Sequence, residues 1–330
     1  MIENIKKDVP LLSVENLKMY FPVTKGFFGQ KAGDIKAVDN VTFSINKGET
    51  FGLVGESGCG KTTTGKCILR INNPTGGKIM YKGINLAKAT KKEFEPYRRE
   101  LQLIFQDPYS SLDPRQSVFS ILKEAIMADG KKRSIEEVLN RVDELLYTVE
   151  LDPSMGQRYA HEMSGGQRQR LGIARTLACN PELIVCDEPV SALDVSIQAQ
   201  IINLFKSIQK KLGITYLFIA HDLAVVRHIS DNIGVMYLGR LVEITDAKDM
   251  YTNPIHPYTK ALLSAIPITD YYEEQKRNRI VLQGEVPSPM NAPSGCSFHP
   301  RCMYATEECK KSIPQLRTIE GNHRVACHNA

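Results

Sequence analysis

Gly55-Glu56-Ser57-Gly58-Cys59-Gly60-Lys61-Thr62 is the stretch on which the reading of the fold turns. It keeps the spacing G-x-x-x-x-G-K-[ST] between an apolar run, Phe51–Val54, that reads as a strand and a helical run that begins at Lys61. Glycines let the backbone turn so that successive N–H groups face one phosphate, and the following helix adds its partial positive charge. In that geometry Lys61 reaches the β- and γ-phosphates and the Thr62 hydroxyl holds Mg²⁺. A plain glycine-rich turn is the competing reading. A second element is then expected: hard oxygen ligands at the end of another apolar strand, with a group that orients water. Leu183-Ile-Val-Cys-Asp187-Glu188 supplies it, with Asp187 toward the metal and Glu188 one residue beyond the strand.

Outward from these two stretches, short β-rich runs alternate with helical ones, the pattern of a mostly parallel sheet covered by helices. The expected strands are Val38–Ile45, Thr50–Val54, Leu101–Gln106, Leu183–Cys186, Ile214–Ala220 and Ile233–Tyr237. Alternation stops between Gln106 and Leu183. There Ile135, Val138, Leu139, Val142, Leu145, Leu146 and Val149 recur at i, i+3, i+4, i+7, which predicts an amphipathic helix whose whole stripe is core, inside an inserted helical subdomain spanning about 107–180. From Asn253 onward prolines become frequent, so a boundary is expected near 255, with domains 1–255 and a loop-rich 256–330.

Composition sets limits. The chain has 330 residues, 42% hydrophobic and 24% charged, enough for about two domains with a real core. Net charge is +5 and spread along the chain, which argues against dedicated nucleic-acid binding, and Lys131-Lys132-Arg133 reads as a solvated loop. No apolar run approaches the 18 or so residues of a membrane helix, and the N-terminus lacks the apolar core of a signal peptide. Of eight cysteines, Cys296, Cys302, Cys309 and Cys327 crowd into the C-terminal segment; Cys59, beside a helix start, is expected to have a lowered thiol pKa and to be shielded by nucleotide.

Taken in order, the motifs resemble an ATP-binding cassette (ABC) ATPase over residues 11 to about 250. Met163-Ser164-Gly165-Gly166-Gln167 resembles the family's signature motif, Gln106 its Q-loop glutamine, Ser191-Ala-Leu-Asp194 its D-loop and His221 its switch histidine. The resemblance implies an α/β P-loop NTPase cassette with an inserted helical subdomain and a small Cys-containing, loop-rich C-terminal extension. It implies ATP and Mg²⁺ as cofactors. The chain's own ATP would be met by Gly55, Glu56, Ser57, Gly58, Cys59, Gly60, Lys61, Thr62, Thr63, Gln106, Asp187 and His221, with Phe21 or Tyr20 stacking on adenine. Thr62, Gln106 and Asp187 would surround Mg²⁺. Catalysis would fall to Glu188, His221, Lys61 and Gln106. A partner's ATP would meet Ser164, Gly165, Gly166, Gln167 and Asp194 in a head-to-tail dimer. The alternative for His221 is a satisfied core histidine.

Two stretches narrow the resemblance. Gln106-Asp-Pro-Tyr-Ser-Ser-Leu-Asp-Pro-Arg115 resembles the extended Q-loop of oligopeptide and dipeptide importers, and Asn253-Pro-Ile-His256-Pro257-Tyr258 resembles the element that opens their C-terminal extension. Implied are a second, different ATPase subunit (a heterodimer), two membrane permease subunits, an extracytoplasmic peptide-binding protein, no nucleic acid, and a peripheral place on the cytoplasmic face of the inner membrane. An importer of nickel or another small solute is the alternative cargo reading. Some members carry a [4Fe–4S] cluster on a terminal Cys quartet, so Cys296, Cys302, Cys309 and Cys327 are its candidate ligands, against zinc or free thiols. His299, His323 and His328 are expected to be solvated. Two further classes are a soluble cassette ATPase of translation or repair and an iron–sulfur sensor with a vestigial nucleotide site.

Overall fold

The computed structural model describes residues 9–25, 30–107, 112–266 and 279–330, with side chains left out at positions 25 and 30–32. Part of the extended Q-loop stretch, 108–111, therefore lies outside the described residues. The described chain divides into two compact units: residues 1–46, 50–88 and 219–330 form the first, and 47–49 and 89–218 the second.

In the first unit, Thr50-Phe-Gly-Leu-Val54 is buried at every position and forms strand β3. A strand buried on both faces is apolar throughout rather than alternating. Its partner is the parallel strand β9, Asn232–Tyr237, with Phe51 opposite Asn232 and Val54 opposite Val235. A tight turn at Leu238 (φ 42°) and Gly239 (φ 80°) leads from β9 into antiparallel β10, Arg240–Asp246. Two positive φ values give the turn the twist a hairpin needs. A second sheet pairs β1, Leu12–Lys25, with β2, Gln30–Ile45, and with β4, Gly76–Tyr81, which itself pairs with the short β5, Ile84–Asn85. Leu12, Val14, Leu17, Val38, Val41 and Ile45 are all fully buried there.

The 256–330 segment is loop-rich as expected, yet it is no free appendage. Pro257–Ser264 is a helix with His256 at its N-cap, and β11, Arg317–Glu320, and β12, His323–Val325, extend the sheet because β12 pairs with β10. By contacts this segment falls in the same unit as the phosphate loop.

In the second unit, β6, Leu101–Ile104, runs parallel to β7, Leu183–Asp187, with Ile104 opposite Cys186. Strand β8, Thr215–Ala220, begins in this unit, where the Thr215 amide donates to Glu182 O at 2.9 Å. Helices Val118–Met127, Ile135–Thr148 and Gly165–Leu177 pack on one another between β6 and β7 in sequence. Ser134 caps the middle one, accepting from the Glu137 amide while the Glu137 carboxylate accepts from the Ser134 amide, which fixes its start. Its stripe is narrower than expected: Val138, Val142, Leu145 and Leu146 are buried, but Ile135 is 61% and Leu139 46% exposed. These two stand one turn apart on the rim of the stripe, where a three- to four-residue period drifts off the packed face. Among the described residues no helix is long and apolar enough to cross a membrane.

Candidate functional site

The first unit carries the phosphate loop. It leaves β3 at Gly55 (φ 151°) and enters the helix Lys61–Ile68 through Gly60 (φ 105°). A Cβ on Gly60 would lie 2.1 Å from Ala37 O, and one on Gly55 2.1 Å from Met236 O, so both glycines are required by close backbone approach as well as by φ. That tightness makes a cradle of amides rather than an ordinary turn. Lys61 is 4% exposed, and its Nζ donates to Gly55 O (2.7 Å) and Glu56 O (3.0 Å), across the mouth of the loop. The β9–β10 turn secures the far side: Gly239 N donates to Cys59 O at 2.9 Å, and Asp39 N to Gly239 O at 2.8 Å. Ser57 and Gly58 are exposed, and Thr62 and Thr63 half-buried in the first helical turn.

Cys59 corrects the expectation placed on it. Its thiol is 4% exposed, under Gly55 and beside Lys61. Burial raises its pKa more than the neighbouring ammonium lowers it. Its backbone belongs to the loop, while its side chain packs inward.

Also in the first unit, His221 follows β8 and is exposed, so it is no core histidine. Of the two candidate aromatics, Tyr20 is committed: its hydroxyl donates to Asp39 Oδ1 at 2.6 Å, and burial and that carboxylate push the phenol up to about 12. Phe21, next along the strand, is 37% exposed.

The second unit supplies acids and amides. Asp187 ends β7 at 8% exposure, and Glu188 follows with φ 48°. Left-handed backbone at a glutamate is uncommon and turns its side chain away from the line of the strand. Ser191 holds the bend by donating from N and Oγ to Glu188 O (3.2 and 3.0 Å). Gln106, at the end of the run that contains β6, donates from Nε2 to Glu188 Oε2 at 3.0 Å, so two predicted residues 82 positions apart meet. Ser164 is the N-cap of the helix Gly165–Leu177, accepting from the Gln167 amide at 3.3 Å while Gln167 Oε1 accepts from Ser164 N at 3.0 Å. Met163 is 3% exposed and anchors this turn, which leaves Ser164 and the amides of Gly165 and Gly166 at an open helix start. A Cβ on Gly166 would come within 2.8 Å of Ile197. Asp194 is exposed at the N-cap of the helix Val195–Leu212 and makes no cap bond.

Taken by unit, the lysine, hydroxyl and glycine-lined amides of the first suit a polyphosphate, and the strand-end carboxylate of the second is a hard oxygen donor of the kind Mg²⁺ takes. The terminal quartet fits a metal less well. Cys309 is buried and Cys296, Cys302 and Cys327 are half-buried. Burial foremost, then the charge of the other three cysteines, pushes the Cys296 thiol up to about 11. The four are thus neighbours, yet among the described residues no three Cys, His, Asp or Glu side chains gather into a metal-holding group. His323 was expected to be solvated and is 5% exposed, its Nε2 at 2.7 Å from Glu243 Oε1; pairing a buried carboxylate is what draws it inside. His299 and His328 are half-buried, against Cys296 O and Ser312 O.

Sequence reasoning missed the groups that hold the loop from afar: Asp39, Gly239, Tyr258 and Arg301. Only Tyr258 carried a signal, as part of the His256-Pro257-Tyr258 stretch.

Comparison with known proteins agrees with this geometry. Residues 38–191 match the family described as ABC transporter, and 242–309 the oligopeptide/dipeptide transporter C-terminal region. The oligopeptide transport ATP-binding protein AppF of Bacillus subtilis (strain 168) is 52% identical over 96% of this chain and 97% of its own length. A putative oligopeptide transport ATP-binding protein of the same organism, YkfD, is 56% identical over 97% and 95%. A putative peptide import ATP-binding protein of Brucella ovis is 49% identical over 97% and 98%. Among solved structures, the ATP-binding cassette MJ0796, a dimer in a post-hydrolysis state bound to ADP and Pi, is similar with a TM-score of 0.63 and 27% identity over 72% of this chain and 98% of that one. CbiO1 from Clostridium perfringens is similar with a TM-score of 0.64 and 27% identity over 74% and 91%. A phosphate-loop cassette followed by that C-terminal region, matched at half identity along almost its full length, means that the chain belongs to the ABC transporter ATP-binding proteins of the oligopeptide type.

Proposed function

We propose that this chain is the ATPase subunit of a peptide importer, coupling ATP binding and hydrolysis to passage of oligopeptides or dipeptides through a membrane permease. The observation that carries the chemistry is the Gln106–Glu188 hydrogen bond at the strand end beside Asp187. It supports reading the Glu188 carboxylate as the base that would orient the attacking water, with the Gln106 amide beside it. Mg²⁺, when bound, would neutralise phosphate charge; Thr62, Asp187 and Gln106 are the residues that would hold it. Lys61 exchanges its two carbonyl acceptors for phosphate oxygens, and the amides of Gly58 to Thr63 gather around them. His221 would contact the γ-phosphate, and Phe21, exposed where Tyr20 is tied down, would stack on adenine. Catalysis is positioning and charge stabilisation without a covalent intermediate.

Ser164 to Gln167 and Asp194 serve a neighbouring subunit's nucleotide in a head-to-tail dimer, because a capped helix start with open amides suits a γ-phosphate presented from outside. The division into a cassette, 1–255, with helical subdomain at about 107–180, and an extension, 256–330, is part of the same reading. So are its partners: a second ATPase subunit making a heterodimer, two permease subunits and an extracytoplasmic peptide-binding protein, at the cytoplasmic face of the inner membrane. The relatives' printed roles in oligopeptide transport favour peptide over nickel. The [4Fe–4S] reading of Cys296, Cys302, Cys309 and Cys327 rests on sequence alone, and among the described residues no metal-holding group gathers there. Iron, zinc and acid-labile sulfide per chain after anoxic purification, beside a Cys302→Ser variant, decide it. About four irons and four sulfides are its expected signature, and metal-free folded protein removes it.

Glu188→Gln tests the core of the proposal. Nucleotide binding is retained, turnover falls by at least about 100-fold and closed dimers accumulate on ATP. Turnover near that of the parent chain removes Glu188 from its role. Uptake of a peptide and nickel panel by the assembled transporter tests the cargo.

A further inference from the structure

One residue of the phosphate loop is gripped at all three of its polar groups. The Glu56 amide donates to Tyr258 Oη at 2.9 Å, its carbonyl accepts from Lys61 Nζ at 3.0 Å, and its carboxylate accepts from both Arg301 amino groups at 2.8 and 3.1 Å. Lys61 is local; Tyr258 and Arg301 arrive from 202 and 245 positions away. The ion pair is sheltered, with side-chain exposures of 8% for Arg301 and 26% for Glu56. A two-pronged guanidinium–carboxylate contact of this kind fixes direction as well as distance.

The arm that carries Arg301 is itself immobilised. Arg301 ends the short turn His299–Arg301, and Phe298 just before it is 1% exposed. The Phe298 ring sits against Tyr237 (5.3 Å between centroids), Tyr258 (5.4 Å) and His256 (5.6 Å). Tyr258 is fully buried, one residue after the Pro257 that starts its helix, and packs 4.7 Å from Tyr237 at the end of β9. The Arg301 guanidinium lies 5.9 Å over the Tyr237 ring. The grip on Glu56 is therefore built from a packed aromatic cluster and is no chance meeting of surface charges.

A loop that binds phosphate through backbone amides gains affinity when its ordering cost is met before the ligand arrives. We propose that the C-terminal segment anchors the phosphate loop within its own chain: Arg301 is a positioning residue that acts through the Glu56 carboxylate, and Tyr258 through the Glu56 amide, to hold the loop in its nucleotide-receiving shape. This rests on reading the loop as an ATP site. It gives the extension a part in nucleotide affinity rather than in attachment alone.

The test uses the purified full-length chain for the dissociation constant of a fluorescent ATP analogue, and the assembled transporter for KM and kcat. Arg301→Ala raises the dissociation constant and KM for ATP by about five- to tenfold with kcat within about twofold, and Arg301→Lys, which keeps charge without the fork, recovers part of the loss. In a Glu56→Ala background the further change to Arg301→Ala has no effect on the dissociation constant. Nucleotide-free melting identifies the variants that are folded. An unchanged dissociation constant in folded Arg301→Ala, or an equal loss with and without the Glu56 carboxylate, overturns the proposal. Should Arg301→Ala fail to fold, unchanged affinity in both Arg301→Lys and Tyr258→Phe overturns it equally. A parent chain that neither binds nor turns over ATP condemns the functional reading instead, whereas an active parent with an indifferent Arg301→Ala condemns the anchor alone.

Discussion

A thiol beside a helix start and a lysine is expected to be acidic, and Cys59 is the reverse. Removing a thiolate from water costs more than a partial helix charge and one ammonium return, once the sulfur is almost fully enclosed. Native Cys59 is accordingly expected to react with N-ethylmaleimide at pH 8 at least about tenfold more slowly than in the unfolded chain, with little change on adding ATP. Site-resolved mass spectrometry reads this, and rapid nucleotide-sensitive labelling would show the sulfur to be open. Gly60→Ala sets a Cβ against Ala37 O at a φ that L-residues avoid, so it is expected to abolish nucleotide binding and cost about 1–3 kcal/mol, measured by titration and denaturant unfolding. At this scale the sequence was informative where function is a local spacing. Lys61 and Thr62 open the helix after β3, Asp187 ends β7 with Glu188 next to it, and Ser164 caps its helix. It was silent where a role depends on residues hundreds of positions apart, as with Asp39, Tyr258 and Arg301, because no period or spacing records a long-range bond.

Elements divide along the same line. Strands β3, β7, β8 and β9 are short, apolar and buried, and their runs are legible in sequence. Strand β1 escapes notice because register shifts between Val14, Leu17 and Lys18 break its alternation, and Asn16 (φ 50°) marks the irregularity. The helix Ile135–Thr148 was read correctly in kind and too generously in width. Leu145→Ala is expected to cost about 2–5 kcal/mol while Ile135→Ala stays within about 0.5, by urea unfolding; similar losses would restore the wider stripe. Ahead of that helix, Asp129 is bound by Arg133 at 2.6 Å through each oxygen and by Arg99 at 2.7 Å, which holds its carboxyl well below the ordinary 3.8. A folded-state pKa below the unfolded one means stability present above about pH 4 and lost as pH falls below it. Asp129→Asn is expected to flatten the acid limb of the melting-temperature profile, and an unaltered limb would assign acid sensitivity elsewhere.

For the molecule as a whole, the extension is part of the unit that holds the phosphate loop. Buried Glu243 accepts from Ile255 N, His256 N and His323 Nε2, so one carboxylate joins β10, the start of the helix Pro257–Ser264 and β12. Removing residues 312–330 takes away the His323 partner and uncovers Glu243. The expected cost is about 3–5 kcal/mol and a melting temperature lower by on the order of 10 °C, with the loss felt at the nucleotide site. Calorimetry that finds an unchanged main transition would make the strands β11 and β12 ornamental.

The turn at Leu238–Gly239 and the arm at Arg301 have a further consequence, for the order of events during synthesis. Lys61 leaves the ribosome about 240 residues before Arg301, an interval of roughly ten to fifty seconds at ordinary elongation rates. Asp39 is already made when that interval opens, Gly239 and Tyr258 join within it, and Arg301 is the last of the distant groups that brace the phosphate cradle. A ribosome stalled before residue 301 therefore holds a phosphate loop whose Glu56 carboxylate still lacks its guanidinium partner.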